Sequence, residues 1–163
     1  MVVMKTKFNS NDIIKALILN KTKRKFYFRY KYVCPNVYWG LGLIHECDLL
    51  VSSSLGIAHE IEIKISLSDL KKDLKKTHKH FSNKIKYLWF AIPYYLLDKG
   101  FNFIPKNAGI ISIFFNTISN SFDYKFIRKP IVNKFARNLN SNELLKLCHL
   151  SSMRFWNLFN KLN

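Results

Sequence analysis

Ten residues of this chain are carboxylates, and four of them, Glu46, Asp48, Glu60 and Glu62, fall within 17 positions. Even spreading would place about one there. Lys64 follows closely. Alternation along a strand puts Glu46 and Asp48 on one face with Ile44 and Leu50, and Leu43, His45, Cys47 and Leu49 on the other. On the next segment Glu60, Glu62 and Lys64 share a face, opposite Ile57, His59, Ile61, Ile63 and Ile65. A turn centred on Ser54 or Leu55 sets Asp48 across from Glu60 or Glu62. Opposed Cβ atoms of neighbouring strands lie about 5 Å apart, where like charges repel. A divalent cation relieves that repulsion. Mg2+ takes one or two carboxylates together with waters and phosphate oxygens, at about 2.1 Å. A lysine on the same strand face can orient an attacking water or stabilise charge developing on a phosphate. The competing reading is a solvated polar face balanced by surrounding lysines.

Two adjacent strands are needed to hold these groups. Leu43–Val51 and Ile57–Ile65 read as a hairpin around the Ser52–Gly56 turn. Upstream, residues 9–19 begin with cap-type residues and continue as a short amphipathic helix. Lys21–Lys25 is a basic turn, and Phe26–Val33 alternates as a strand that Pro35-Asn36 should break. Downstream, Ser66–Asp69 offers a helix start. That helix is expected to reach about His80, burying Leu67, Leu70, Leu74 and Phe81. Ile85–Ile92 is a buried-type strand ended by Pro93, and 94–99 a short helix. Gly109–Phe115 and Phe122–Arg128 are further strands. Ser141 should cap a final helix to Leu162, apolar around much of its circumference and suited to wedging or association, including a homodimer.

The order Asp48, thirteen residues, then Glu62-Ile63-Lys64, on adjacent strands followed by a helix and a buried strand, resembles the PD-(D/E)xK nuclease superfamily. The stretches Glu46–Leu50 and His59–Asp69 are similar to small phage and bacterial members, including the DNA-repair family named after its MmcB protein. The C-terminal pattern Leu147, Leu150, Arg154, Trp156 is similar to the same proteins. The resemblance implies an α/β fold with a restriction-endonuclease-like α-β-β-β-α-β core and a mixed central sheet flanked by helices. One domain would span 1–163, with its core over about 11–115 and a C-terminal helical extension over about 141–162. It implies Asp48 and Glu62 as ligands of Mg2+ or Mn2+, the Ile63 carbonyl as a third, and Lys64 as the catalytic lysine. Glu46 and Glu60 are extra acids, for a second metal or for tuning the first. Cys47 stands where the motif carries proline, and Asp12 is the candidate for the carboxylate that many members bring from the first helix. The implied function is a metal-dependent DNA endonuclease in repair, recombination or phage DNA processing. The alternative is a nuclease-like fold retained as a non-catalytic DNA-binding accessory.

Charge agrees with a polyanionic partner. The chain has 27 Lys and Arg against ten acids, a net +17. Lysine outnumbers arginine 22 to 5 and Asn, Ile, Phe and Tyr are abundant, as AT-rich coding produces, but coding bias does not explain the scarcity of acids. Such a potential attracts phosphate backbones. DNA, bound by structure or with weak sequence preference, is the expected partner, and an anionic membrane surface the second. Lys71, Lys75 and Lys79 form a stripe that could track a backbone, though a solvated helix face explains any one of them equally. His78 and His80, with Lys84 just beyond, could contact the scissile phosphate or a leaving group, though a polar helix end is the better account of them. His59 reads as a core histidine, and His45 and His149 receive no role. Cys34, Cys47 and Cys148 lack paired spacing, so buried thiols are expected rather than a disulfide framework or zinc cage. The longest apolar stretch, Tyr87–Leu97, has 11 residues, too short for the roughly 20 of a membrane span. No signal-peptide order is present, so a cytoplasmic, non-secreted protein is expected. No Gly-rich phosphate loop or Ser-His-Asp arrangement appears.

Overall fold

The acidic hairpin forms the middle of a six-stranded sheet. This computed structural model describes residues 7–18, 30–38, 40–43, 45–75, 80 and 82–159. Along the chain lie α1 (Ser10–Ile18), β1 (Tyr32–Val37), β2 (Cys47–Ser52), β3 (Ala58–Ile63), α2 (Leu67–Asp73) and β4 (Tyr87–Pro93). A 3-10 turn (Tyr94–Leu96) leads into α3 (Leu97–Gly100), followed by β5 (Gly109–Asn116), β6 (Ser121–Arg128) and α4 (Ser141–Phe159). The strands lie side by side in chain order. β1, β2 and β3 are antiparallel, β3–β4 and β4–β5 are parallel, and β6 returns antiparallel to β5. The result is a mixed α/β fold: a six-stranded mixed sheet flanked by helices, with a C-terminal helix. Its first six elements run α-β-β-β-α-β.

Parallel pairing of β3 with β4 requires a crossover, which α2 supplies. The Ser66 hydroxyl caps α2 by accepting from the Asp69 amide at 3.2 Å. α1 begins with a reciprocal box: the Asn9 amide donates to Asp12 Oδ2 and the Asp12 amide to Asn9 Oδ1. Ile13, Ala16 and Leu17 then pack on one sheet face with Leu49, Val51, Ile61, Ile63, Ile111 and Ile113. The other face carries two apolar clusters. In one, Leu144, Leu147 and Leu150 of α4 meet Cys34, Leu50 and Ala58. In the other, Leu70 of α2 meets Leu88, Phe90 and Ile92. Glu60 pairs with Leu50 of the first cluster and Leu88 of the second. Its strand face therefore places the acids at the seam between two apolar clusters.

Several expectations change. α2 ends at Asp73 rather than near His80, which adopts φ +53° and cannot continue a helix. Leu74 consequently lies off the buried stripe and is exposed. Pro35 and Asn36 sit inside β1, not beyond it. As an edge strand β1 tolerates proline, and Asn36, at φ +51°, is skipped between the Pro35–Leu49 and Val37–Cys47 pairs. The last helix is capped by Asn140, not Ser141: Glu143 N donates to Asn140 Oδ1, and Asn140 N to Glu143 Oε2. Only one stripe of α4 is buried; Leu145, Phe155 and Trp156 are exposed. Cys148 is exposed rather than buried. The basic turn at 21–25, the start of the Phe26 strand, Phe81 and the end of the last helix at Leu162 lie outside the described residues.

Gly56 fastens the β2–β3 turn to the segment before α4. Its amide turn has φ +76°, and an added Cβ would meet the Leu139 carbonyl oxygen at 2.1 Å. The Leu139 amide donates to Gly56 O at 2.8 Å across this contact.

Candidate active site

The register Leu49–Ile61, Leu50–Glu60 brings Asp48 opposite Glu62 at the next step. Asp48 Oδ2 accepts the Ile63 amide at 2.8 Å, which ties the start of β2 to the end of β3. Lys64, just past β3, places its Nζ 2.5 Å from Glu62 Oε2, 3.3 Å from Asp73 Oδ1 and 3.6 Å from Asp48 Oδ2. The three residues expected to act together are thus together. They differ in exposure: the side chain of Asp48 is 37% exposed, whereas Glu62 is 1% and Lys64 6%. Asp48 forms the open side of the cluster.

Behind it runs a continuous polar chain. His80 links Asp73 to Glu60, with Nε2 at 2.7 Å from Asp73 Oδ2 and Nδ1 at 2.9 Å from Glu60 Oε1. His45 Nε2 reaches the same Glu60 oxygen at 2.7 Å. Glu60, Glu62, Asp73, Lys64, His45 and His80 are all buried. Burying so many ionisable groups is costly unless they are paired, and hydrophobic packing here gains nothing from them.

Their proton affinities follow from that burial. Desolvation pushes the Glu62 carboxyl up to about 7; Lys64 opposes the rise, while Asp48 and Glu60 add to it. Burial alone would favour a neutral Lys64, but Glu62, Asp48 and Asp73 hold its charge above the usual lysine range. Burial likewise disfavours the His80 cation, yet hydrogen bonds to Asp73 and Glu60 raise it to about 9. Glu60 is desolvated too, and the bonds from His45 and His80 outweigh this and hold it well below the ordinary carboxylate range. Strong perturbation of neighbouring groups in opposite directions marks candidate functional sites.

No family model matches the chain, and no curated protein matches it. Among solved structures, it is similar to the SPO1766 protein of unknown function from Silicibacter pomeroyi. The two are 13% identical with a TM-score of 0.62, over 96% of this chain and 92% of that one. The likeness shows a shared fold.

The other expected residues separate. Glu46 precedes β2, so strand alternation does not govern it, and it is exposed. Glu60 joins the cluster through histidines rather than through Asp48. Asp12 does not join: it closes the α1 capping box on the opposite sheet face. Lys71 and Lys75 are exposed on and just after α2. Lys84 turns inward, with Nζ 3.0 Å from Glu143 Oε1 and donating to the Leu41 carbonyl. His78 and Lys79 lie outside the described residues. His59 is held in the sheet by Tyr30 and Trp89, with Nδ1 at 3.3 Å from the tyrosine hydroxyl and 3.1 Å from the indole nitrogen.

Three residues of the chain were given no role by the sequence. Asp73 had a usable signal, since it stands three positions after Leu70 and so beside the buried stripe of α2. His45 and Cys47 had none. Alternation assigned both to the face opposite the acids, but β2 begins only at Cys47, and both side chains gather at Glu60.

Proposed function

We propose that the protein is a metal-dependent nuclease of the PD-(D/E)xK type, hydrolysing DNA phosphodiester bonds. The observation that carries this reading is the meeting of Asp48, Glu62 and Lys64 at the junction of β2 and β3. The α-β-β-β-α-β order and mixed sheet are compatible with the nuclease-like core that the resemblance implies.

The donor set fits Mg2+ or Mn2+. Two opposed carboxylates supply hard oxygen ligands, and the exposure of Asp48 leaves room for waters and a phosphate. Bound there, the ion would supply Lewis acidity toward water and phosphate. The chain's own residues do the rest. Asp48 and Glu62 would hold the ion and so set where a phosphate bound to it sits relative to β3. Lys64, kept charged by its carboxylates, orients the attacking water and faces the negative charge that develops on phosphate. Asp73 holds the lysine from the helix side, and His80 holds Asp73. The same short helix presents Lys71 and Lys72 outward, where they add sequence-independent attraction to a DNA backbone.

A second reading has its own observation. Glu62 is almost fully buried and already paired with Lys64, which suits a closed, non-catalytic DNA-binding accessory. One assay separates the two: full-length protein against linear, nicked, branched and single-stranded DNA, with Mg2+, Mn2+ or chelator. Cleavage that chelator abolishes and Asp48→Asn removes, with binding kept, is the expected result. Binding without cleavage of any form would establish the accessory reading, and full activity of Asp48→Asn would sink the assignment of the site.

A further inference from the structure

Beside the Asp48–Glu62–Lys64 group stands a second set of ligand-type side chains that the proposed hydrolysis does not use. His45 Nε2, Cys47 Sγ and a carboxylate oxygen of Glu60 lie within 4.8 Å of one another. All are buried, and Cys47 and Glu60 have no exposed surface. The imidazole nitrogen is 2.7 Å from Glu60 Oε1 and 4.0 Å from the Cys47 sulfur. Both histidines, His45 and His80, crowd onto this one oxygen. The other, Glu60 Oε2, is buried with no hydrogen-bond partner among the described residues. A buried carboxylate oxygen without a partner is unfavourable, and such an atom calls for an unseen ion or water.

We propose that His45, Cys47 and Glu60 bind one divalent transition-metal ion of the Zn2+ class, at a site separate from the Asp48–Glu62 pair. In a tetrahedral site with nitrogen or oxygen at about 2.0 Å and sulfur at about 2.3 Å, ligand atoms stand about 3.3–3.5 Å apart. The His45 Nε2–Cys47 Sγ separation of 4.0 Å lies near that spacing, and the ligand atoms of the three residues all fall within 4.8 Å, so small side-chain rotations bring them onto one centre. Mixed sulfur, nitrogen and oxygen ligands suit Zn2+ and not Mg2+, which takes oxygen. On binding, the thiol proton of Cys47 leaves to solvent and a sulfur electron pair forms the metal bond. His45 presents Nε2 while its ring proton sits on Nδ1. Glu60 gives Oε2 to the ion and keeps Oε1 for His80. His80, fixed in turn by Asp73, then orients the carboxylate from outside, as partners of metal ligands commonly do. Three protein ligands leave the fourth position to a water, and the buried site would fasten the entry of β2 to β3.

The test loads the full chain, refolded in chelator-free buffer, with one equivalent of Co2+. Expected are one bound ion and a thiolate-to-cobalt charge-transfer band that Zn2+ bleaches. Cys47→Ser should remove the band and weaken binding about tenfold or more, as lost metal contacts do. Cys34→Ala, Cys148→Ser and Glu62→Gln should keep it. A folded wild-type chain with no thiolate band overturns the proposal without any variant. So does a band that survives Cys47→Ser, or one that is lost in Glu62→Gln. None of these readouts involves DNA, so the nuclease reading and this one fail independently.

Discussion

Glu62 and Glu143 are both carboxylates with a lysine at hand, yet one resists ionisation and the other is locked into it. Glu143 sits at the start of α4, where Oε2 accepts from Asn140 N at 2.9 Å and Arg137 Nη1 at 2.7 Å. Its Oε1 takes Arg137 Nη2 at 2.7 Å and Lys84 Nζ at 3.0 Å. The bidentate Arg137 guanidinium holds it down to about 2, against the desolvation that opposes it. Every lone pair is used, and the group ties the C-terminal helix to the body. Glu62 has the reverse surroundings. It is buried among Asp48, Glu60 and Lys64, and that lysine is shared with Asp48 and Asp73. A carboxylate held by a guanidinium and a capped helix start stays ionised, whereas one desolvated among other acids is held toward its protonated form.

That contrast can be broken or sharpened by four measurements. The largest effect is on cleavage. Asp48→Asn and Lys64→Ala should each lower Mg2+-dependent hydrolysis by about a hundred- to a thousandfold, the scale of losing one positioned electrostatic group. Glu143→Gln should stay within about twofold of wild type on the same DNA. Comparable losses in all three variants would erase the distinction. Next is stability. Glu60→Gln strips the common partner from two buried histidines and should cost about 3–5 kcal/mol in urea unfolding with chelator present. An unchanged midpoint would mean that the histidines are held by something else.

A smaller effect is expected at the satisfied acid. Glu143→Gln loses the capping carboxylate and should lower the melting temperature by about 2–4 °C. The smallest is its pH dependence. Because the folded pKa of Glu143 lies below its unfolded value, its stabilisation is complete above about pH 4.5 and is lost as pH falls toward 2. Wild type and Glu143→Gln should therefore converge in stability on acidification across that window. Parallel curves would place the group's contribution outside its charge.

The difference between strand and chain ends explains what could be read in advance. Periodicity located the hairpin, β4, β5, β6 and the final helix to within a few residues, because apolar alternation is a local property. It also placed Glu60 and Glu62 on one face, since β3 is a regular strand, and Lys64 keeps that parity one residue past its end. It failed where regularity stopped. Parity counted through residues 43–46 put His45 on the wrong side, because pairing begins only at Cys47, and Cys47, at the first position of β2, packs with Leu50 rather than with Leu49 and Val51. The helix after Ser66 was extended by its lysine-rich pattern past Asp73, although composition alone does not say where a helix ends.

The amino-acid sequence by itself determined the local terms: two short strands with four carboxylates between them, a lysine in phase with two of them, a basic surrounding chain and the helix starts at Ser66 and Asn9. Only the tertiary structure decided which acids are held apart from water and by what. The crossover from β3 through α2 to β4 returns Asp73 to Lys64, and His80 spans from that helix to Glu60. Those contacts cross from one element to another through packing at the seam of two apolar clusters. No spacing rule encodes them, because burial, which sets the energy of each charge, belongs to the folded assembly of elements rather than to any one of them.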